Sequence, residues 1–163
     1  MPDNPIKDAL KMIPYGFYTL TSHTDDDDNI MVFNWFTQAS FEPQLVAIGL
    51  QNTSHTYGLI EKSKAFTINI FRAEDQDAVK PFTKGRAKNP DKMTGVEFER
   101  APQTQCPVLP QAAAFIECML VGKLETGGDH DVILGEVINA EVRKPGEPKD
   151  SLTLVDIGWN YAG

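Results

Sequence analysis

The stretch NWFTQASFEPQLVAIGLQNTSHT, residues 34–56, decides the fold. Its first part mixes aromatic, hydroxyl and amide side chains up to Ser40 and predicts a strand. Glu42-Pro43 then predicts a turn, and Leu45–Leu50 predicts a second, apolar strand. The hydroxyl-rich Thr53–Thr56 is typical of a helix start. Two strands and a helix therefore follow one another within a short span.

The polar residues in this stretch have two interpretations. A buried strand normally avoids polar side chains, because each of them needs a hydrogen-bond partner. A polar, phosphorylated ligand lying across the strand and the helix start would explain the cluster. A half-buried edge strand followed by a capped helix is the simpler explanation. The residue types alone leave both interpretations open.

Composition limits the class of protein. With 163 residues, 41% hydrophobic and 23% charged, the chain is expected to form one globular domain over 1–163. The net charge of −8 argues against binding to nucleic acid or to anionic membranes, which both attract Lys and Arg. A phosphate would have to be bound locally by N–H groups, hydroxyls and a few cations.

The sequence has only weak signals for export or for metal binding. The N-terminal residues lack the long apolar run of a signal peptide, and Cys106 and Cys118 form no CxxC pattern. We therefore expect a cytoplasmic protein with two reduced thiols and no metal site. Asp25–Asn29 has the carboxylates of a calcium loop, but Ile30 stands where that loop needs glycine. A solvated hairpin turn is the simpler interpretation.

The pattern along the whole chain predicts a mainly β protein with short helices, a small antiparallel barrel. The predicted helices are Pro5–Ile13, Thr53–Lys62 and Ala73–Val79, and the predicted strands are Tyr15–Thr24, Met31–Ser40, Leu45–Leu50, Ala65–Phe71, Ala114–Leu124, Val132–Arg143 and Leu152–Ile157.

The order of two motifs resembles the flavin reductase-like family of FMN-binding split barrels. That family has a Thr-rich strand, a Ser-x-(Asp/Glu)-Pro turn, an apolar strand and a Ser/Thr-rich turn, then a later Gly-Asp-His with Gly-Glu behind it. The matching residues are Thr37, Ser40, Glu42, Pro43, Thr53-Ser54-His55-Thr56, Gly128-Asp129-His130 and Gly135-Glu136. The likeness runs from about Pro5 to Tyr161, and Gln44 departs from it where a second proline is common. The end of the chain also resembles the flavin reductase module of flavodiiron proteins.

The resemblance implies an antiparallel split β-barrel of Greek-key type that binds FMN and forms a homodimer with the flavin near the interface. Backbone groups of one strand would serve the flavin ring, a serine the ribityl chain, and the helix start the phosphate. These cofactor-binding residues are Asn34, Trp35, Phe36, Thr37 and Gln38 for the ring, Ser40 for the ribityl chain, and Thr53, Ser54, His55 and Thr56 for the phosphate. Ordinary core packing, turn capping and helix capping are the alternatives for the aromatic rings, Ser40 and the hydroxyls.

His130 is the candidate catalytic residue. By itself, a histidine after Gly127-Gly128-Asp129 is a turn residue, and the glycine pair predicts a flexible turn. The resemblance implies instead that His130 lies near the reactive face of the flavin, with Asp129 orienting its ring.

Two functions follow from the resemblance. The first is an oxidoreductase that transfers hydride from NADH or NADPH to bound FMN. The alternative is an FMN-holding electron carrier, similar to flavoredoxins and reduced by another protein; storage or sensing is a third. No Gly-x-Gly-x-x-Gly is present, so any nicotinamide binding would not be Rossmann-type. The basic stretch with Lys84, Arg86 and Lys92 is either a solvated loop or a cover over the phosphate or the nicotinamide nucleotide.

Overall fold

The fold is built on seven antiparallel strands that form one curled sheet, a half-barrel. The computed structural model describes residues 4–161. The strands are β1 (Tyr18–His23), β2 (Asp28–Phe33), β3 (Phe36–Ser40), β4 (Leu45–Gln51), β5 (Ala65–Ile70), β6 (Glu99–Arg100), β7 (Pro107–Val108), β8 (Ala114–Leu124) and β9 (His130–Val142). Their order in the sheet is β2-β1-β5-β8-β9-β4-β3, and β6 pairs with β7 separately. The predicted fold class is confirmed.

A two-residue corner closes the barrel. Strands β2 and β3 lie on opposite edges of the sheet, yet only Asn34 and Trp35 separate them along the chain. Three peptide units span at most roughly 11 Å, so the sheet must curl until the end of β2 lies within that distance of the start of β3. The Gly49 amide holds the corner by donating to the Trp35 carbonyl over 2.9 Å. The prediction of one continuous strand over Met31–Ser40 was therefore wrong, because the chain changes edges in its middle.

Side-chain alternation places the core inside the curl. In β4, Val46, Ile48 and Leu50 are buried, whereas the residues between them are half-buried on the other face. Gly135 of β9 is required by close packing, since a Cβ there would lie 2.4 Å from Cζ of Phe66. The buried set packed together is Leu20, Phe33, Val46, Ile48, Leu50, Tyr57, Ile60, Phe66, Ile68, Cys118 and Ile133.

The helices are short and well capped. Helix α1 covers Pro5–Leu10, shorter than predicted, and helix α2 covers His55–Ser63. The Ser54 hydroxyl accepts from the Tyr57 amide at the start of α2, and Lys64 ends it with φ of 61°. The predicted helix over Ala73–Val79 is a 3-10 helix at Ala73–Ala78.

The last predicted strand was wrong. Leu154–Ile157 forms a third helix, α3, in which Thr153 and Asp156 make a reciprocal capping box. Only isolated bridges, at Ser151 and Thr153, have strand character. An alternating apolar pattern over so few residues fits a strand and a capped turn of helix equally well.

Both cysteines are free, as expected, and both are buried. Burial raises the pKa of Cys106 to about 11 and that of Cys118 to about 12, so both thiols stay protonated at neutral pH. Within residues 4–161, no helix has the length and apolar character needed to cross a membrane.

Candidate functional site

A cleft of about 670 Å³ opens beside the corner that closes the barrel. Its walls come from the corner and β2, from the end of β4 and the start of α2, from the loop after residue 82, from the first residue of β9 and from residues 159–161. A cleft of several hundred Å³ has the size of a small-molecule or cofactor site.

A group of aromatic rings lines one part of the cleft, which we call its aromatic end. The Trp35 ring centroid lies 4.7 Å from that of His130 and 6.1 Å from that of Tyr161. Trp35 lies against the backbone of β4, because a Cβ at Gly49 would be only 3.1 Å from its indole Cε3. Trp159 also lines the cleft and packs edge-on against Phe17. This end is suited to a flat, apolar ring system.

Two cations line another part of the cleft, which we call its basic end. Lys92 is only 5% exposed, and its Nζ has no hydrogen-bond partner among residues 4–161. Burial, followed by the nearby charge of Arg86, lowers the pKa of Lys92 to about 8. The buried Nε of Arg86 also lacks a described partner, and both residues line the cleft. Buried donors without acceptors are costly, so this end is built for an anion.

The acidic turn holds the basic loop in place. Arg86 Nη2 donates to Asp27 Oδ1 and to the Asp28 carbonyl, each over 2.8 Å, and His55 Nε2 contacts the other oxygen of Asp27. On the far side of the turn, Arg100 and His23 bind the Asp28 carboxylate. Although burial favours its neutral form, those partners lower the pKa of Asp28. The turn is thus a clamp for the loop, not merely the solvated hairpin turn that we expected.

The start of α2 faces the same cleft through Thr53, Ser54 and His55. The Ser54 hydroxyl accepts from the Tyr57 amide over 3.2 Å, so it caps the helix as the simpler interpretation expected. Its own O–H remains available as a donor. The first-turn N–H groups lack intrahelical acceptors and carry the positive end of the helix dipole, which favours an anion.

His130 reaches the aromatic end from the first residue of β9. Its Nδ1 lies 2.8 Å from Asp129 Oδ1, and this hydrogen bond lowers the pKa of Asp129. With Nδ1 engaged, Nε2 is the ring nitrogen left to act on a ligand.

The structure brings six of the eleven predicted site residues together and leaves five outside the cleft. The six that line it are Asn34, Trp35, Thr53, Ser54, His55 and His130. The other five are Phe36, Thr37, Gln38, Ser40 and Thr56.

Each of those five has another environment in this chain. Phe36 packs edge-on against Tyr18 with ring centroids 5.0 Å apart. Thr37 and Gln38 lie on the exposed edge strand β3, which ends at Ser40. The Thr56 hydroxyl is buried and accepts from Asn29 Nδ2 over 2.8 Å. Once the chain turns at the corner, β3 leads away from the cleft.

The lining residues that were not predicted include two amide side chains and two aromatic residues near the end of the sequence. Asn29 and Gln51 come from strand ends, and Trp159 and Tyr161 follow α3. Asn29 Oδ1 and Asn34 Nδ2 are buried without hydrogen-bond partners in the described chain, so both remain available to a ligand. An aromatic pair near the end of the sequence was the available signal for Trp159 and Tyr161.

Comparison with known proteins identifies the family. Residues 10–162 match the flavin reductase like domain. The chain belongs to this family. Its relatives include an actinorhodin polyketide dimerase of Streptomyces coelicolor, 30% identical over 88% of this chain and 78% of the relative. A ferric-chelate reductase (NAD(P)H) of Archaeoglobus fulgidus is 28% identical over 86% of this chain and 83% of its own length.

Larger family members contain this domain as one part. A diflavin flavoprotein A of Synechocystis is 27% identical over 87% of this chain, which spans only 25% of that protein. Among solved structures, an NADH:FAD oxidoreductase of Streptomyces globisporus matches with a TM-score of 0.76 at 24% identity, over 88% of this chain and 87% of that one. At this identity the likeness shows the fold of the flavin reductase family.

Proposed function

We propose that this flavin reductase family member binds FMN in the cleft and transfers hydride from NADH or NADPH to the flavin. The observation that carries the proposal is the composition of the cleft wall: the buried, unpartnered Lys92 ammonium and the unpartnered Nε of Arg86 line one part of it, and aromatic rings line another. A flat ring system with a phosphate on a flexible chain has the matching chemistry.

The residues present fit FMN. Lys92 and Arg86 would hold the phosphate together with the start of α2 at Thr53 and Ser54. Both cations have buried donor atoms with no described acceptor, which a phosphate dianion would satisfy. Asn34, whose Nδ2 is buried without a described partner, and Trp35 would contact the ring. His55 would act at the phosphate end beside Asp27.

The chain's own residues would prepare the reaction. When bound, FMN supplies the acceptor for a hydride from the nicotinamide. Trp35 would exclude water from the ring, since its indole is fixed against Gly49. His130 would orient the nicotinamide or hold a proton at Nε2, because its Nδ1 is engaged with Asp129. The relative named as a ferric-chelate reductase (NAD(P)H) supports the choice of donor.

Stopped-flow mixing tests the proposal and separates it from the electron-carrier alternative. The FMN-loaded protein is mixed with NADH or with NADPH, and flavin absorbance is followed. Rapid bleaching is the expected result. Bleaching by dithionite but by neither nucleotide would contradict the enzyme and support a carrier. Titrations with FMN, FAD and riboflavin test the mononucleotide preference, with FMN expected to bind tightest.

A homodimer is part of the proposal. The long strands β8 and β9 expose several large apolar side chains, and the same sheet continues into the cleft wall at Gly49. These side chains are Met119, Val121, Leu124, Ile138 and Val142. A stable dimer would bury at least about 1,200 Å² in total. Light scattering should give twice the chain mass of 18.1 kDa; the mass of one chain at micromolar concentration would exclude the dimer.

We also propose a cytoplasmic location. The two buried cysteines are free thiols, the state that a reducing compartment maintains. Fractionation of cells with a tagged copy of the full-length protein would test this; recovery in an oxidising compartment would refute it.

A further inference from the structure

The hairpin turn that presents His130 is fastened to the end of β4 by one side chain. Asn52 Nδ2 donates to the Gly128 carbonyl over 2.9 Å and to Asp131 Oδ1 over 3.4 Å. The Asn52 backbone amide donates to the Asp129 carbonyl over 3.0 Å. Asn52 thus binds the three residues 128, 129 and 131 that surround His130, while its own side chain lies outside the cleft.

Without these bonds the turn would have little to hold its position. Gly127 has φ of +79°, and neither Gly127 nor Gly128 has a side chain that packs against a neighbour. The Thr126 hydroxyl accepts from the Gly128 amide and donates to the His130 carbonyl, but these bonds fix only the internal shape of the turn. The Tyr57 hydroxyl anchors the next residue, Asp131, over 2.6 Å. Beyond the β4–β9 pairing that begins at Gln51 and His130, the described hydrogen bonds that link residues 127–129 to the rest of the barrel come from Asn52.

Asn52 also joins the two ends of the proposed site. It stands between Gln51, which pairs with His130 across β4 and β9, and Thr53, which lines the cleft at the start of α2. A displacement of the turn would carry the His130 ring away from Trp35, since their present contact has ring centroids only 4.7 Å apart. A displacement of about 1 Å is enough to slow a reaction that depends on orientation.

We propose that Asn52 is a positioning residue that holds His130 at the aromatic end of the cleft for hydride transfer. This inference rests on the proposed role of His130. In this proposal Asn52 itself contacts neither the flavin nor the nicotinamide. Loss of its side chain should therefore slow flavin reduction about tenfold without changing FMN affinity.

Nuclear magnetic resonance of the flavin-free protein tests the positioning directly. The chain has three histidines, so the imidazole C–H signals are few, and His130→Ala assigns those of His130. The indole ring current of Trp35 should displace the His130 signals in the wild type, and Asn52→Ala should remove that displacement. Gln44→Ala is the matched control, an exposed amide side chain at the other end of β4. It should leave the signals unchanged.

The kinetic test uses the same variants loaded with FMN. Asn52→Ala should slow reduction by the nicotinamide nucleotide about tenfold at saturation, with unchanged FMN affinity, and Gln44→Ala should behave as wild type. If Asn52→Ala fails to fold, Asn52→Gln, which keeps the donor on a longer arm, should reduce the signal displacement in part and slow reduction by less than tenfold relative to wild type. An unchanged displacement, an unchanged rate or a loss of FMN affinity would each overturn the proposal. A wild-type protein that binds no flavin would instead refute the proposed function.

Discussion

Replacing Lys92 with methionine should make the flavin-free protein more stable and weaken FMN binding at the same time. Lys92 is 5% exposed, and its buried ammonium has no described hydrogen-bond partner and lies near Arg86. Methionine keeps most of the apolar stem and removes the charge. The substitution therefore relieves a penalty in the unliganded fold and deletes a donor for the phosphate.

The size of the effect follows from the lowered pKa. The fall from 10.5 to about 8 corresponds to at most about 3.4 kcal/mol at ~1.36 kcal/mol per unit. Relaxation of the site and water entry reduce this, so we expect a gain of about 2 kcal/mol at pH 7, or about 4–8 °C in Tm for a chain of this length. Loss of one hydrogen bond to a charged phosphate costs about 1.5–3 kcal/mol, which is roughly a 10- to 150-fold weaker Kd.

The pH dependence of the free energy of unfolding tests independently whether the Lys92 charge destabilises the folded state. Because the folded state binds the Lys92 proton less tightly than the unfolded state, wild-type stability should rise between pH 8 and pH 10.5, and the Lys92→Met variant should lack that rise. Denaturant titration of the flavin-free proteins measures it, and titration with FMN and riboflavin measures binding. Lys88→Met, an exposed lysine of the same loop, is the control and should change stability little. A flavin-free Lys92→Met protein that is no more stable than wild type would refute the reasoning, since the ammonium would then have a partner.

Three further predictions concern the same cleft and its support. The affinity for FMN should fall above pH 8, toward tenfold per pH unit, because the Lys92 ammonium loses its proton, while the affinity for riboflavin stays level to pH 9. Equal pH dependence for both ligands would place the phosphate elsewhere. His130→Ala should leave FMN affinity and the bound flavin spectrum intact, but it should slow flavin reduction by the nicotinamide nucleotide about 10- to 100-fold in stopped flow. A variant that loses FMN would make His130 a flavin ligand. Gly135→Ala should destabilise the fold by about 2 kcal/mol in denaturant titration, because its Cβ would lie 2.4 Å from the Phe66 ring. Gly122→Ala is the control and should cost less, because the nearest atom to its Cβ would lie at 3.4 Å. Equal losses of stability would show that the Phe66 ring moves aside.

The strands could be predicted from local patterns, but the corner could not. Alternation and turn residues located β4, β5, β8 and β9, because those signals are local in sequence. The break at Asn34-Trp35 has no such signal, since neither residue is a strong strand breaker and the cause is barrel closure. The resemblance predicted Trp35, His130 and the helix-start residues of the cleft, but it missed Trp159 and Tyr161. It also carried Phe36 and the polar residues of β3, which lie outside the cleft.

The basic end of the site shows a second feature that local sequence patterns could not predict. Lys84, Lys88 and Lys92 are equivalent in the sequence, but only Lys92 is buried. That difference depends on the clamp between Arg86 and the acidic turn, whose members are 58 and 59 residues apart. Tertiary ion pairs of this kind decide which cation faces a ligand, and no local pattern contains them.

The two-residue corner at Asn34-Trp35 also sets how the chain can change in length. One added residue there would lengthen the link between the barrel's two edges and turn Trp35 off Gly49, opening the fold and the cleft together. A slip of β3 by two residues would preserve its faces, but it would move Trp35 by about 6.6 Å. Insertions should instead be tolerated at the exposed residues 146–149, which lie outside the cleft walls. Length variation among members of this architecture is therefore expected to collect there and to be excluded from residues 33–36.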